Sequence, residues 1–352
     1  MRALVLSGGE GSRLRPLTHT NAKQLIPVAN TPILFHVLGA IRDAGITEVG
    51  IVVWQTAGEI RAAVGDGSAW GLDVTYIPQE APLGLAHAVL TARGFVAGQP
   101  FVMFLGDNVL LEGIARFVTE FEDHRPNAQI FLARVPEPER FGVAVLEGDR
   151  VVKLIEKPRD RISDLALVGV YLFDDSVLEA VASIRPSARG ELEITDAIQW
   201  LIDNGKTVRA EMVSGWWKDT GRPEDLLEAN RLMLSTLVPR IDGEVDSAST
   251  LEGMVVVARG AKIIRSQVRG PAVIGEGAVI EDSEIGSHTS IGPGCTVASS
   301  TVENSIVLEG ASIRGVRGVA DSILGRGVEV RHSITSGVHR IIAGDQSQVE
   351  VD

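Results

Sequence analysis

Residues 3 to 14 read Ala3-Leu4-Val5-Leu6-Ser7-Gly8-Gly9-Glu10-Gly11-Ser12-Arg13-Leu14, and the chain runs on through Pro16-Leu17-Thr18 to Lys23-Gln24-Leu25-Ile26-Pro27. Four consecutive apolar residues make a short buried strand. Three glycines within four positions then give a backbone that bends sharply and lies close to a ligand, because no Cβ stands in the way. Exposed N–H groups in such a loop form a concave anion site at the start of a helix. Arg13 and Lys23 add two fixed cations, so the stretch points to a polyphosphate rather than to a bare strand-to-helix turn. It is neither of two familiar phosphate loops: no Gly-Lys-Ser/Thr follows, and Leu14 stands where a dinucleotide fingerprint needs its third glycine.

Outward from this loop, helix and strand alternate. The pattern predicts a helix from Pro32 to about Gly45, a strand at 48–53, a helix at 57–64, a strand at 74–77, a helix at 85–92 and a strand at 101–105. Such alternation implies a Rossmann-like, mostly parallel sheet with ligands beyond the carboxyl ends of its strands. Gln79 falls at one such end, where its amide can meet the donor and acceptor edge of a pyrimidine, and Gly84 follows with space for a base or ribose. His36 and His87 lie on expected helices and read as structural. Asp107 ends the apolar strand 101–105. A carboxylate at the mouth of a phosphate site needs a cation between, which makes it a magnesium ligand, and magnesium takes one or two carboxylates plus phosphate oxygens. Asp219, in Trp216-Trp217-Lys218-Asp219-Thr220-Gly221, supplies the second.

Gly8-Gly9-x-Gly11-Ser12-Arg13-Leu14-x-Pro16-Leu17-Thr18, followed by Lys23-Gln24-Leu25-x-Pro27-Val28, resembles the signature of the sugar-1-phosphate nucleotidylyltransferases. The Lys-Gln-Leu form is similar to the glucose-1-phosphate thymidylyltransferases, whereas guanylyltransferases commonly carry proline after the lysine and UDP-glucose pyrophosphorylases usually Lys-Glu-Met. The resemblance implies Mg2+-assisted transfer from dTTP to a sugar 1-phosphate, with Arg13 and Lys23 as the catalytic cations and Asp107 and Asp219 on the metal. It implies a nucleotide site at Leu6, Gly8, Gly9, Gly11, Ser12, Gln79, Gly84 and Asp107. Arg140-Phe141-Gly142-Val143-Ala144-Val145 and Val151-Val152-Lys153-Leu154-Ile155-Glu156-Lys157-Pro158 read as two strands of a hairpin, linked by Glu147-Gly148-Asp149. Glu156 can accept from sugar hydroxyls and Lys157 can pair with the sugar phosphate. By resemblance Gly142, Val168 and Glu191 join them, while Glu193 reads as a helix cap.

The bulk properties fit. At 352 residues the chain suffices for two domains, and a net charge of −13 argues against a nucleic-acid partner. A single cysteine, Cys295, permits no intrachain disulfide, and no apolar run approaches a membrane span of roughly 18 residues. With the first strand beginning at Arg2, no room is left for a signal peptide, so a cytoplasmic location and no membrane partner are expected. All 16 aromatic residues precede residue 241, which places a boundary between domains 1–240 and 241–352. Beyond it, apolar residues recur every six positions at Val273, Val279, Ile285, Ile291 and Val297, and again at Val307, Ile313 and Val319, with glycines at the bends. That is the hexapeptide pattern of a parallel β-helix, with about 18 residues per coil and on the order of five coils over residues 252–340. The resemblance makes it left-handed. Exposed edges predict a homo-oligomer. Three rivals remain: the same chemistry with another base or a different sugar-like 1-phosphate; a bifunctional uridylyltransferase and acetyltransferase using His288, His332 or His339; and a binding scaffold without turnover, against which the retention of Arg13, Lys23, Asp107 and Asp219 argues.

Overall fold

The computed structural model describes residues 1–331 and 338–350, so His332 lies outside the described residues. Contacts divide the chain into two compact units, one of Met1–Glu10 with Ile33–Asp219, the other of Gly11–Pro32 with Thr220–Asp352.

The first unit is built on a nine-stranded sheet in the order Asp73–Pro78, Glu48–Val53, Arg2–Leu6, Phe101–Leu105, Leu165–Phe173, Ala128–Arg134, Val208–Met212, Arg150–Glu156 and Gly142–Glu147. The first four strands are parallel, as helical crossovers require. Arg2–Leu6 sits between two partners and is apolar throughout its buried length, which is how a strand covered on both faces reads. From Leu165–Phe173 onward the sheet is mixed. Its last pair has a local reason: a two-residue turn, Gly148-Asp149, joins Gly142–Glu147 to Arg150–Glu156, and so short a connection can only make antiparallel neighbours. A separate ribbon pairs Asn108–Leu110 with Trp217–Asp219.

The second unit is dominated by stacked parallel strands forming two sheets of seven and one of five, consistent with a left-handed β-helix. Equivalent strands mostly step by 17 residues, as from Val255 to Ala272 to Thr289, and the stack begins at Arg240. The coil is therefore shorter, and the stack longer, than the six-residue period implied. One corner accounts for this: only Arg265 and Ser266 separate two strands there, with Arg265 at φ 46°, and Asp282 and Ser299 repeat that conformation one and two coils on. Serines close the corner. Ser266 N donates to Ser249 Oγ, Ser283 N to Ser266 Oγ, and Ser300 N to Ser283 Oγ, each at 3.0–3.1 Å, so backbone donors inside the turns are satisfied without water. Small aliphatic side chains fill the interior with Cys295, whose thiol burial pushes up to about 11. Among the described residues no helix is long and apolar enough to cross a membrane.

Candidate active site

The signature loop differs from expectation after Gly11. Instead of an α-helix, three single 3-10 turns follow, at Ser12–Leu14, Leu17–His19 and Lys23–Leu25. Pro16 is the cause, since the residue before a proline is driven out of the helical region, and Arg15 sits at φ −59°, ψ 141°. With no helix there is no summed dipole, so loop N–H groups and cations carry any anion binding. Gly11 has φ 66°, and a Cβ there would lie 2.9 Å from both Lys23 Cβ and Thr18 Cγ2. Thr18 Oγ1 donates to Gly11 O at 2.7 Å. The glycine thus lets the turn that carries exposed Arg13 lie against half-buried Lys23.

In the first unit, Leu6 ends its strand with its carbonyl accepting from Gly106 N, and Gly8 and Gly9 follow. Buried Gln79 comes next to them: its Oε1 lies 3.1 Å from where a Gly8 Cβ would stand, and its Nε2 is 2.9 Å from His87 Nδ1. His87, expected to be structural, is therefore the partner of the expected base-reading side chain. Gly84 lies in the loop that follows, as the residue before helix Leu85–Thr91. It has φ 105°, and the space beside it is filled by the Leu192 backbone, whose carbonyl lies 2.4 Å from an added Cβ. Ala86 N donates to that carbonyl and Leu192 N to Leu83 O, which clamps the 83–86 loop to the segment bearing Glu191 and Glu193.

Asp107 and Asp219 come together through the ribbon, where Asp219 is the cross-strand partner of Asn108. Asn108 organises the pair. Its Nδ2 donates to Asp107 Oδ1 at 3.0 Å, and its Oδ1 accepts from Trp217 Nε1 at 2.6 Å. Gly169, at φ 75° in an irregularity of strand Leu165–Phe173, makes room, since its Cβ would fall 3.1 Å from the Asn108 amide. Among the described residues no group of three or more His, Cys, Asp or Glu could hold a metal. The two carboxylates expected on the metal are the number that suits a hard cation completed by substrate phosphate and water, not a closed protein cage.

Of the residues expected to bind the sugar, Glu156 and Gly142 are opposite one another in the hairpin, and a Cβ on Gly142 would meet Thr195 Cγ2 at 2.6 Å and Glu156 Oε2 at 3.0 Å. Lys157, at φ 41°, is turned so that its Nζ lies 3.5 Å from Glu156 Oε1. Sequence reasoning missed Arg189, whose guanidinium reaches Glu156 at 3.2 Å, Glu191 at 2.9 Å and Glu193 at 3.8 Å. The signal available was an arginine directly before Gly190-Glu191-Leu192-Glu193. Glu193 starts helix Ile194–Asp203 but does not cap it through its side chain; it accepts from Ser187 Oγ at 2.8 Å. Burial pushes the Glu193 carboxyl above its usual value, and burial followed by the Glu156 charge does the same to Asp196. Val168 is wholly buried in the strand beneath.

The family model described as nucleotidyl transferase matches residues 2–236. A glucose-1-phosphate thymidylyltransferase of Streptomyces griseus is 55% identical over 353 residues, covering 100% of this chain and 99% of that protein. Another of the same name from Streptomyces antibioticus is 53% identical with the same coverage. A crystal structure from Bacillus anthracis of a protein named for that activity superposes with a TM-score of 0.63 at 36% identity, covering 66% of this chain and 94% of that one. The chain belongs to the nucleotidyl transferase family.

Proposed function

We propose that this enzyme transfers a thymidylyl group from dTTP to glucose 1-phosphate, giving dTDP-glucose and pyrophosphate. The observation that carries the reading is full-length similarity, at 55% identity, to a protein of that name. The family generally depends on a divalent metal, and we take it here to be Mg2+, held by Asp107 and Asp219.

An oxygen of the sugar phosphate attacks the α-phosphorus, and the bond to the pyrophosphate oxygen breaks in line. No general base is needed, because a phosphate monoester with its second pKa near 6 is already largely dianionic at neutral pH. The protein's task is to bring two anions together and stabilise the charge that develops. Arg13 and the N–H groups of Gly8, Gly9, Gly11 and Ser12 bind the departing phosphates, and Lys23 the α-phosphate. Leu6, Gln79 and the loop at Gly84 receive the base. Glu156 and Glu191 accept from sugar hydroxyls beside Gly142 and Val168, and Lys157 with Arg189 holds the attacking phosphate. A divalent cation held by Asp107 and Asp219 would supply charge neutralisation to the triphosphate. Arg189 has a second use: in the free enzyme it pairs with Glu156 and Glu191, so those carboxylates stay oriented before the sugar arrives.

Pyrophosphate release is the test, measured with Mg2+ across a grid of nucleoside triphosphates and sugar 1-phosphates. A maximum at dTTP with glucose 1-phosphate is expected. A maximum elsewhere overturns the substrate pair while leaving nucleotidyl transfer. We also read the protein as a cytoplasmic homo-oligomer, with domains 1–240 and 241–352.

A further inference from the structure

The loop that carries Arg13 and Lys23 belongs, by its contacts, with the β-helix: Gly11–Pro32 clusters with Thr220–Asp352. The bonds responsible sit at both ends of its second half. Asp345 Oδ2, near the last described coil, accepts from Thr20 Oγ1 at 2.9 Å and Asn21 Nδ2 at 2.5 Å. Its other oxygen accepts from Arg326 N at 2.8 Å, and the Arg326 guanidinium donates to Asn21 Oδ1 at 2.7 Å. Eight residues on, Ala29 N and Ser290 Oγ both donate to Oδ1 of fully buried Asn230, and Asn30 Nδ2 donates to Ile291 O. Lys23 lies between these two ties.

We propose that Asp345 is a positioning residue for nucleotidyl transfer: through Thr20 and Asn21 it fixes the Arg13–Lys23 segment on the β-helix, so the repeat domain is part of the catalytic apparatus. The inference rests on the proposed roles of Arg13 and Lys23. Three short turns in about twenty residues have little rigidity of their own, whereas the β-helix is tied rung by rung. A carboxylate accepts only, and all three groups facing Asp345 are donors, so no other side chain of that size satisfies them together. Electrostatic stabilisation in line requires cations held in place before the substrates arrive, and a small misplacement is costly.

The experiment uses the full chain as Asp345→Ala, Asn21→Ala and the double variant. Asn21→Ala leaves the Asp345–Arg326 bond of the β-helix intact, so it serves should Asp345→Ala fold poorly. Amide exchange of peptides within 12–31 should rise in each variant while peptides around Ile274 and Ile291 keep their protection. The kcat should fall about tenfold, the rate equivalent of one charge-assisted hydrogen bond. The KM for dTTP should rise and that for glucose 1-phosphate stay unchanged, since Glu156, Lys157 and Arg189 belong to the other unit. The double variant should lose no more than the worse single one. Unchanged loop exchange overturns the proposal, as does faster exchange with kcat intact, or losses that add. Exchange reads the tie without substrate, so failure of the dTTP and glucose 1-phosphate assignment appears separately, as a wild-type enzyme inactive on that pair.

Discussion

Gln79 Nε2 lies 2.9 Å from His87 Nδ1, and the opposite end of the same amide, Oε1, faces the backbone of Gly8. With His87 Nδ1 as the acceptor, the amide nitrogen is the end engaged. With the nitrogen engaged, the oxygen is presented, and an oxygen accepts the N3–H that thymine and uracil carry and cytosine lacks.

His87→Leu should free the amide to turn and raise the KM for dTTP about two- to tenfold, the worth of one neutral hydrogen bond, with kcat little changed. Saturation curves for dTTP at fixed glucose 1-phosphate decide it. An unchanged KM would mean that Gln79 is held by something else.

Asp219→Asn should lower turnover about 100-fold or more while the fold is kept, because charge stabilisation of the triphosphate is lost. The concentration of Mg2+ giving half-maximal rate should rise. Normal activity in a correctly folded variant would remove Asp219 from the metal site, and Asp107→Asn provides the same check on its neighbour.

Arg189→Ala should raise the KM for glucose 1-phosphate and leave that for dTTP alone. Its ion pairs among the described residues are with Glu156, Glu191 and Glu193, on the expected sugar side. A rise in the dTTP value instead would contradict the division between sugar side and base side.

Much of this arrangement was legible in the sequence because it is written in local patterns. The strand before Gly8 is a run of apolar residues, and the β-helix declares itself by its period. A carboxylate at Asp107 calls by its chemistry for a second one, and the structure pairs Asp219 with Asn108, the neighbour of Asp107. What escaped depends on distance in sequence. Nothing local shows that Asp345 reaches Asn21 or that Leu192 occupies the space beside Gly84. The coil length escaped for another reason: a left-handed residue at Arg265 shortens a corner without changing the apolar spacing along each strand.

Gly84→Ala should destabilise the first unit by about 1–3 kcal/mol, since φ 105° is strained for any L side chain and the Leu192 carbonyl leaves no space for a methyl group. Thermal unfolding should show a clear drop in Tm. A Tm equal to wild type would show that the 83–86 loop can move away from Leu192 at no cost.

Glu211 gives the chain a titration within the physiological range. Its carboxyl is pushed up to about 7, first by burial and then by its hydrogen bond to and repulsion from Glu120, against the opposing charges of Arg116 and Arg209. Gln129 Nε2 donates to Glu211 Oε1 at 2.7 Å, and Arg116 lies 3.5 Å from the other oxygen. The folded carboxyl thus holds its proton above the usual 4.5, so the folded chain binds more protons than the unfolded chain between about pH 4.5 and 7. Stability from this group is complete below that window and is lost as pH rises through about 7. Glu211→Gln keeps the shape and removes the titration. The variant should therefore gain on wild type in Tm as pH is raised from 5 to 8. A difference in Tm that stays constant over that range would show that Glu211 is already ionised at pH 5 in the folded chain.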